Sequence, residues 1–483
     1  MIIIVPGMRH ALPFLLLLAV AQFPCNAFAQ ETGTASGDRA GVQPSLRFNQ
    51  PGSSSIDDPG SFFSAPYGES HFFGDWQGMQ PWLLNRGIHA AADIHEELAG
   101  NFRGGLRQGV TNAGQVGVEV DIDWTKLIGL PNFWTHTMIV NGNGRSLSSQ
   151  YIGNIAAIQQ IYGSRGNVVA HLVYMYGESA FFHNRLDISA GWLPVGSFFA
   201  STILECNFMN VSICGNPAPS KYTQSDLDWP SGNLGAVLRI RPTLRTYFTG
   251  GLFAVSPHAY SGGISGWSWA QDGLGKITTP VEIGWTPEFG KDHLLGHYKA
   301  GYGYDNSRYN DLYEDIHGEP WVATGQPAHK QSGRSSAWVI ANQMVVRNGP
   351  GATNGLILLG GYMYTSGHTT AMNHHLWAGV IETGALWGRP LDTIGISYGW
   401  LQMSRSATLQ QEASQALGLP FQSNPWGPVY GVQTHENVYE AFYNINVVNC
   451  ASLQPDFQFI QRPGATSTIH DAAVMALQFN IVM

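Results

Sequence analysis

The chain of 483 residues carries few charges, much glycine and many aromatic side chains. Only 12% of its residues are charged, about half of the ~25% usual in soluble globular proteins. An aromatic content of 12% argues against disorder, and a net charge of −9 argues against a polyanionic nucleic acid as partner. With hydrophobic residues at only 44%, the composition favours an extended β architecture over a bundle of membrane helices.

The first 85 residues are predicted to lie outside the main fold. Residues 1–29 are typical of a secretory signal peptide, because Arg9 precedes an apolar core and Ala27-Phe28-Ala29 fits a small-residue cleavage site. A membrane anchor is the alternative, but the apolar core is short and contains Pro13. Residues 30–85 are predicted to form a flexible segment, rich in Gly, Ser, Pro and Asp, with a short helix over 76–85.

From residue 87 onward the dominant pattern is alternation of apolar with polar or small residues. Between Gln115 and Trp124, for example, every even position is apolar and most odd positions are polar. A period of two over about ten residues indicates a two-faced strand, of the length that a tilted membrane-spanning strand requires. The predicted strands are 87–99, 114–124, 132–142, 167–177, 182–192, 231–241, 245–255, 278–286, 294–304, 334–346, 354–364, 375–386, 392–402, 436–447, 451–461 and 472–483.

The connections between these predicted strands alternate in length. By these boundaries every odd-numbered connection is longer than its neighbours, which puts short turns at one rim and long loops at the other. That segregation is typical of outer-membrane barrels. Because a bilayer admits only helices or closed barrels, residues 86–483 are predicted to form a 16-stranded antiparallel transmembrane β-barrel with long extracellular loops. A soluble β protein, in which the alternation reflects ordinary core packing, is the alternative.

Three cysteines remain once the predicted leader is removed. Cys206 and Cys214 lie in one loop-like segment, and an oxidising compartment favours a local disulfide between them. Cys450 falls in a predicted tight turn, where we expect a free or partly buried thiol. No further pair of Cys or His residues accompanies them at metal-ligand spacing, and we expect neither a metal nor a cofactor.

Six short motifs follow one another along the chain from Gly74 onward. They are Gly74-Asp75-Trp76-Gln77-Gly78, Ala99-Gly100-Asn101-Phe102-Arg103-Gly104-Gly105-Leu106-Arg107-Gln108-Gly109, Tyr151-Ile152-Gly153-Asn154, Cys206-Asn207-Phe208-Met209-Asn210, Trp229-Pro230-Ser231 and Ser452-Leu453-Gln454-Pro455-Asp456-Phe457-Gln458-Phe459-Ile460. In this order they resemble the carbohydrate-selective porins of the OprB family.

That resemblance implies a function, a location and an assembly. It implies a Gram-negative outer-membrane porin, exported through the secretory pathway, that passes mono- and small oligosaccharides into the periplasm by passive diffusion. It also implies a homotrimer that the barrel-assembly machinery inserts among outer-membrane lipid. The chain departs from the common pattern of such barrels by ending on Met483 rather than on an aromatic residue, which bears on its recognition for insertion.

A passive pore requires a wet lumen lined by polar groups that replace a sugar's hydration and by aromatic rings. We expect loops 143–166 and 193–230 to fold inward and narrow the lumen. Mixed acidic and basic groups there would give a transverse field. Each candidate could equally be a solvated wall residue. The candidates for the lumen or constriction are Asp93, His95, Glu97, Arg103, Arg107, Glu119, Asp121, Arg185, Asp187, Arg239, Arg241 and Lys299.

Two other functions remain open at this point. One is a general or ion-selective porin without strong sugar preference. The other is an outer-membrane enzyme or glycan-binding barrel, since Glu97, Glu119 and Asp121 could supply the carboxylate pair of a glycosidase. Inward carboxylates are ordinary in a polar lumen, and the H-E-x-x-H motif is absent from the sequence. We therefore expect no enzymatic activity and no catalytic residue, with carbohydrates as the permeating partners and no nucleic acid.

Overall fold

A closed wall of antiparallel strands makes up most of this protein in a computed structural model. The structure describes residues 72–221, 229–255, 266–267, 276–349, 352–386, 388–448 and 450–483. The predicted signal peptide and residues 30–71 of the predicted flexible segment lie outside the described residues. Both therefore stay predictions.

Seventeen strands form a single sheet. They are β1 Ile88–Gly105, β2 Gly109–Asp123, β3 Phe133–Gly144, β4 Val168–Phe181, β5 Leu186–Leu193, β6 Asn233–Thr243, β7 Thr246–Ala254, β8 Ile277–Trp285, β9 Glu288–Phe289, β10 Leu294–Asp315, β11 Ala328–Arg347, β12 Gly355–Thr365, β13 Met372–Thr383, β14 Thr393–Met403, β15 His435–Val448, β16 Ala451–Gln461 and β17 His470–Val482. The two-residue β9 pairs only with the start of β10 and extends the hairpin between β8 and β10. The other sixteen strands form the wall.

The wall closes because its first and last strands pair with each other. Asp93 of β1 lies opposite Val482 of β17, and Leu98 lies opposite Leu477. On its other side β1 pairs antiparallel with β2 from Ile88 to Asn101. Closure leaves no free sheet edge, so the backbone groups of the wall find partners within it. The predicted 16-stranded antiparallel barrel is confirmed.

Successive residues of each wall strand face different surroundings. In β2, Val118 is 45% exposed on the outer face, whereas its neighbour Glu119 is 4% exposed on the inner face. Aromatic rings gather on the outer face near the strand ends, where Trp124 stacks on Phe133 and Trp285 stacks on Tyr298. This arrangement matches an apolar band bounded by aromatic girdles.

The helices are short and lie between strands or beside the rims. The α-helices are Met79–Leu84, Trp124–Ile128, Ala218–Lys221, Trp321–Thr324 and Arg405–Ala416. The 3-10 helices are Tyr162–Arg165, Val195–Ser197, Ile203–Asn207 and Pro463–Ala465, and Ser148–Ile152 is a π-helix. Within the described ranges, no helix combines the length and apolar character needed to cross a membrane.

The two rims of the barrel carry different connections. The terminal rim holds the start of β1 and the end of β17, and its turns include 182–185 and 244–245. The opposite rim, here called the loop rim, carries the long connections 145–167, 194–232 and 404–434. Long connections therefore do segregate to one rim.

The predicted strict alternation of connection lengths is nevertheless wrong at two places. The first connection of the loop rim is only 106–108, because β1 and β2 stay paired as far as Asn101 and Gly109. The connection 366–371 is likewise no longer than 348–354 on the terminal rim. Paired strand ends that extend beyond the membrane band need no apolar outer face, so the alternation pattern does not reveal them.

Candidate functional site

Two connections of the loop rim turn into the barrel and pack against its inner wall. The first inward loop comprises residues 145–167, and the second comprises the described residues 194–221. Phe198, Phe199 and Phe208 of the second loop are at most 5% exposed. They join one apolar cluster with the inward wall residues Trp338 and Trp377. The structure thus places both loops where the sequence predicted them.

A wall glutamate on β15 holds the first inward loop. The Glu436 carboxylate accepts hydrogen bonds from the backbone N–H groups of Ile155, at 2.9 Å, and Ala156, also at 2.9 Å. It also accepts one from Gly464 N–H at 2.7 Å, in the connection between β16 and β17. Because Glu436 is 0% exposed, these backbone donors would have no water to replace the carboxylate.

Two further wall glutamates hold the second inward loop in the same way. Glu440 of β15 accepts hydrogen bonds from the N–H groups of Met209, at 2.5 Å, and Asn210, at 3.1 Å. Glu282 of β8 accepts one from Ala200 N–H at 3.0 Å. Both carboxylates are at most 3% exposed. The barrel wall therefore fixes the backbone of both loops through buried side-chain acceptors, which replace the water that these N–H groups would otherwise bind.

The second loop is also closed on itself. Cys206 and Cys214 form the predicted disulfide. Lys221 Nζ donates a hydrogen bond of 2.7 Å to Val211 O and so ties the end of the described loop to the disulfide-bonded turn. The prediction for the remaining cysteine is wrong: Cys450 is 3% exposed and disulfide-bonded, and the described part of the chain contains no free cysteine.

The predicted acidic candidates lie on the inner face of β1, β2 and β5. Asp93, Glu97, Glu119, Asp121 and Asp187 are each at most 7% exposed. Asp93 contacts the ring of His95 at 2.9 Å, and Glu119 accepts a hydrogen bond of 2.5 Å from the Tyr174 hydroxyl.

Asp121 lies at the centre of a histidine-rich group on the same wall. Its Oδ1 is 2.8 Å from His136 Nδ1, and its Oδ2 is 3.5 Å from His89 Nδ1. The other ring nitrogen of His136 lies 3.5 Å from Glu178, and its ring stacks on Tyr176. In the described ranges no group of three or more His, Cys, Asp or Glu side chains has the geometry to hold a metal ion.

The predicted basic candidates lie on β6 and β10. Arg241 forms an ion pair with Asp187 on the neighbouring strand. Arg239 donates a hydrogen bond of 3.1 Å to Thr249 and lies over the ring of Tyr247 at 5.2 Å. Lys299 donates one of 2.6 Å to the carbonyl of Ser201 and so anchors the second inward loop. The acidic candidates thus lie on β1, β2 and β5, and the basic candidates lie on β6 and β10.

Three candidates lie near the ends of the strands or in the turns that follow them. Arg103 is near the end of β1, and Arg107 is in the turn 106–108, where its guanidinium lies 4.7 Å from the Tyr151 ring. Arg185 is exposed in the turn 182–185, where it donates a hydrogen bond of 2.6 Å to Pro242 O. The alternation predicted Arg185 as a strand residue, but β5 begins one residue later, at Leu186.

The sequence did not single out the glutamates that hold the loops. Alternation does put Glu436 and Glu440 on the inner face of β15, together with Val438 and Phe442. Which backbone donors they meet depends on loops more than 200 residues away along the chain. Periodicity therefore gives the direction of such a side chain and not its partner.

The amino-acid sequence is similar to a family of known proteins and to two individual porins. The family model "Carbohydrate-selective porin, OprB family" matches residues 107–483. "Porin B" of Pseudomonas aeruginosa is 25% identical over 418 residues, covering 85% of this chain and 90% of that protein. "Putative porin QuiX" of Acinetobacter baylyi is 23% identical over 419 residues, covering 84% of this chain and 92% of that protein.

Solved structures share the barrel. A high-pH structure of Pseudomonas putida OprB superposes with a TM-score of 0.79 at 24% identity, covering 87% of this chain and all of that one. A low-pH structure of the same protein gives a TM-score of 0.54 at 18% identity, covering 86% of this chain and 98% of that one. At these identities the likeness supports the fold.

Proposed function

The chain belongs to the carbohydrate-selective porin, OprB family, and from this we propose that it admits mono- and small oligosaccharides across the outer membrane by passive diffusion. The observation that carries the proposal is the family match over residues 107–483 on a barrel narrowed by two inward loops. Family and fold both indicate a channel rather than an enzyme. Diffusion through such a channel requires no chemical step.

The route for sugar is proposed to run along the polar wall beside the two loops. Tyr174 and Tyr247 are partly exposed, and Arg239 lies between Thr249 and the Tyr247 ring. Hydroxyl, guanidinium and aromatic groups are the chemistry that replaces the hydration of a sugar and stacks on its apolar face. The predicted acidic candidates on β1, β2 and β5 extend this polar wall in the proposal.

Planar-bilayer recording tests the function directly. Purified protein should give stepwise conductance, and added glucose should reduce that conductance in a concentration-dependent way. Urea at matched osmolality is the control, because it changes the viscosity and osmolality without offering a pyranose ring. Conductance that does not change when sugars are added would instead indicate a general or ion-selective porin. An absence of conductance would indicate a barrel whose lumen is blocked and would contradict the proposal.

We further propose that the protein resides in the outer membrane of a Gram-negative bacterium as a homotrimer, inserted by the barrel-assembly machinery. The proposal rests on the family membership together with the closed barrel. Gel electrophoresis of unheated and heated samples tests the assembly. An unheated band near three times the mass of the heated one is expected. A single unheated band at monomer mass would contradict it.

A further inference from the structure

Two carboxyl groups meet on the inner face of the barrel beside the second inward loop. Glu440 of β15 and Asp456 of β16 are 3% and 5% exposed, and their side chains form a hydrogen bond with each other. Strand register explains the contact, because Asp456 lies opposite Phe442, which points to the same face as Glu440. Two ionised carboxylates offer only acceptors, so a hydrogen bond between them requires a proton on one of them.

The other contacts of the pair leave room for that proton. Asp456 Oδ1 accepts a hydrogen bond of 2.9 Å from Gln458 Nε2. Asp456 Oδ2 is buried, and no N–H or O–H group of the described residues donates to it. Glu440 accepts the backbone N–H groups of Met209 and Asn210. A proton shared between Glu440 and Asp456 satisfies the oxygen that would otherwise be buried without a donor.

The wall around the pair is acidic or neutral. Glu97 of β1 is 0% exposed and acts electrostatically on Asp456. Glu436 is the next buried glutamate along β15. Between β16 and β1, the inward side chain of β17 is neutral, since Gln478 lies opposite both Gln454 and Glu97. Like charges held close together with little water oppose a second ionisation, so this wall favours one shared proton over two carboxylates.

The charged groups of the neighbouring loops are directed to other partners. Glu205 of the second loop accepts a hydrogen bond of 2.6 Å from the Trp377 indole on β13. Lys221 Nζ donates to a carbonyl group within its own loop, and Arg165 of the first loop lies toward β4. On β14, the residue opposite Glu440 is the neutral Ser397. The shared proton is therefore the group that compensates the second negative charge of the pair.

We propose that Glu440 and Asp456 share one proton and that this proton positions the second inward loop. With the proton in place, Glu440 stays beside the N–H groups of Met209 and Asn210. When the proton leaves to solvent at higher pH, two negative charges repel each other and Glu440 withdraws from these donors. The pair acts on the permeating solute only through the loop. The inference rests on the proposed pore function and adds a control of the constriction by pH.

Release of this anchor would reach both inward loops. Asn210 Nδ2 donates a hydrogen bond of 2.8 Å to Gln458 Oε1, beside the pair. Val211 N–H donates one of 2.9 Å to the carbonyl of Ala157 in the first loop. Because the two loops are joined at this point and both narrow the lumen, loss of the shared proton should widen the constriction.

Single-channel recording at increasing pH tests the inference. Wild-type conductance should rise and become noisier from neutral to alkaline pH. Asp456→Asn should remove this dependence, because its amide donates to Glu440 at every pH and its oxygen still accepts from Gln458. Wild-type conductance that does not change with pH, or an Asp456→Asn channel with the wild-type pH profile, would overturn the proposal.

The matched control is a second carboxylate that holds the same loop without a carboxyl partner. Glu282 accepts hydrogen bonds from Ala200 N–H, the Tyr247 hydroxyl and the Trp338 indole. Whatever its basal conductance, Glu282→Gln should keep the wild-type dependence on pH. Loss of that dependence in both variants would show that any loosening of the loop has this effect, and it would count against a shared proton.

Infrared spectroscopy detects the proton without a conductance measurement. Wild-type protein in lipid should show the C=O stretch of a protonated carboxylic acid at neutral pH, and the band should weaken on titration to alkaline pH. Asp456→Asn should reduce its intensity, and heat-shift gels report whether the variant barrel is folded. A wild-type spectrum without this band would overturn the proposal. The band in a channel that glucose does not block would support this inference while contradicting the proposed sugar selectivity.

Discussion

At the scale of single residues, glutamate side chains have different partners on the two faces of the wall. Glu436 and Glu440 face inward and accept hydrogen bonds from backbone donors of the inward loops. Glu96 faces outward and accepts one from Asn112. A buried backbone N–H without a partner destabilises the fold, so an inward glutamate determines where a loop can rest.

Weakening one loop anchor should loosen the constriction. Glu436→Gln replaces one of the two oxygens that accept hydrogen bonds from three backbone N–H groups by an NH2 donor, and each hydrogen bond lost in this way contributes about 0.5–1.5 kcal/mol. We expect larger or noisier single-channel conductance and weaker block by glucose. Glu412→Gln, an exposed position on the helix Arg405–Ala416, should leave the trace unchanged. An unaltered trace for Glu436→Gln would show that the loop holds its place without this anchor.

The basic side of the lumen should set the preference among ions. Arg239→Gln removes a positive charge from the inner face of β6 while keeping a hydrogen-bond donor near Thr249. The permeability ratio should shift toward cations, as read from the reversal potential across a salt gradient. Arg245→Gln, exposed in the turn 244–245 beside Glu288, is the control and should shift it less. Equal shifts would place Arg239 outside the ion path.

At the scale of elements, the turns of the terminal rim are built by local polar contacts. In the turn between β13 and β14, Asp392 accepts hydrogen bonds from Arg389, at 2.5 Å, and from the Tyr443 hydroxyl, at 2.6 Å. Asn446 N–H donates a third, at 3.0 Å, to the other carboxylate oxygen. Burial alone would raise the pKa of Asp392, but these hydrogen bonds and the Arg389 charge lower it overall.

This turn gives a pH dependence with a defined sign. Because the pKa of folded Asp392 lies below its ordinary value of 3.8, the contribution to stability is present above that value and is lost as pH falls through the folded pKa. Asp392→Asn should therefore lower the unfolding temperature at neutral pH, and the difference from wild type should shrink only in strong acid. Thermal unfolding followed by circular dichroism at several pH values measures this. Asp292→Asn, exposed in another terminal turn, is the control, and a gap that stays constant into acid would contradict the assignment.

The second inward loop and the barrel wall together form an apolar cluster inside the barrel. The second loop contributes Phe198, Phe199 and Phe208 to an apolar cluster inside a barrel whose inner face is otherwise rich in polar groups. Trp338 and Trp377 complete that cluster from the wall. The lumen is thus divided into a packed region around the loops and a polar region beside them. That division follows from long loops with their own apolar side chains, which must be buried somewhere.

At the scale of the whole molecule, the barrel separates two solvents across one layer of residues. Ile396 of β14 is 60% exposed on the outer face, and its neighbour Ser397 points inward. Ile396→Arg should therefore destabilise the membrane-inserted barrel by about 2–4 kcal/mol, the usual effect of a lipid-facing arginine near the bilayer centre. Ser397→Arg, the matched control, should destabilise the inserted barrel much less and should lower the conductance. Reversible folding into lipid vesicles measures both, and equal destabilisation would mean that Ile396 does not face lipid.

The closed barrel, its strand count and the direction of most side chains are encoded in local patterns of the amino-acid sequence. Alternation places Val118 outward and Glu119 inward without reference to any distant residue, because a strand has a period of two. Family motifs and the spacing of Cys206 and Cys214 likewise lie within short stretches of chain. Such local features are visible before the chain folds.

How the lumen is narrowed depends instead on contacts that exist only in the folded chain. Glu436 meets the first inward loop across a sequence distance of 281 residues, and Glu440 meets the second across 231. The position of Glu96 beside Gly114 and Asn143 likewise appears only when the register of β1 to β3 is known. Register and loop docking depend on contacts between distant parts of the chain, which no local period encodes.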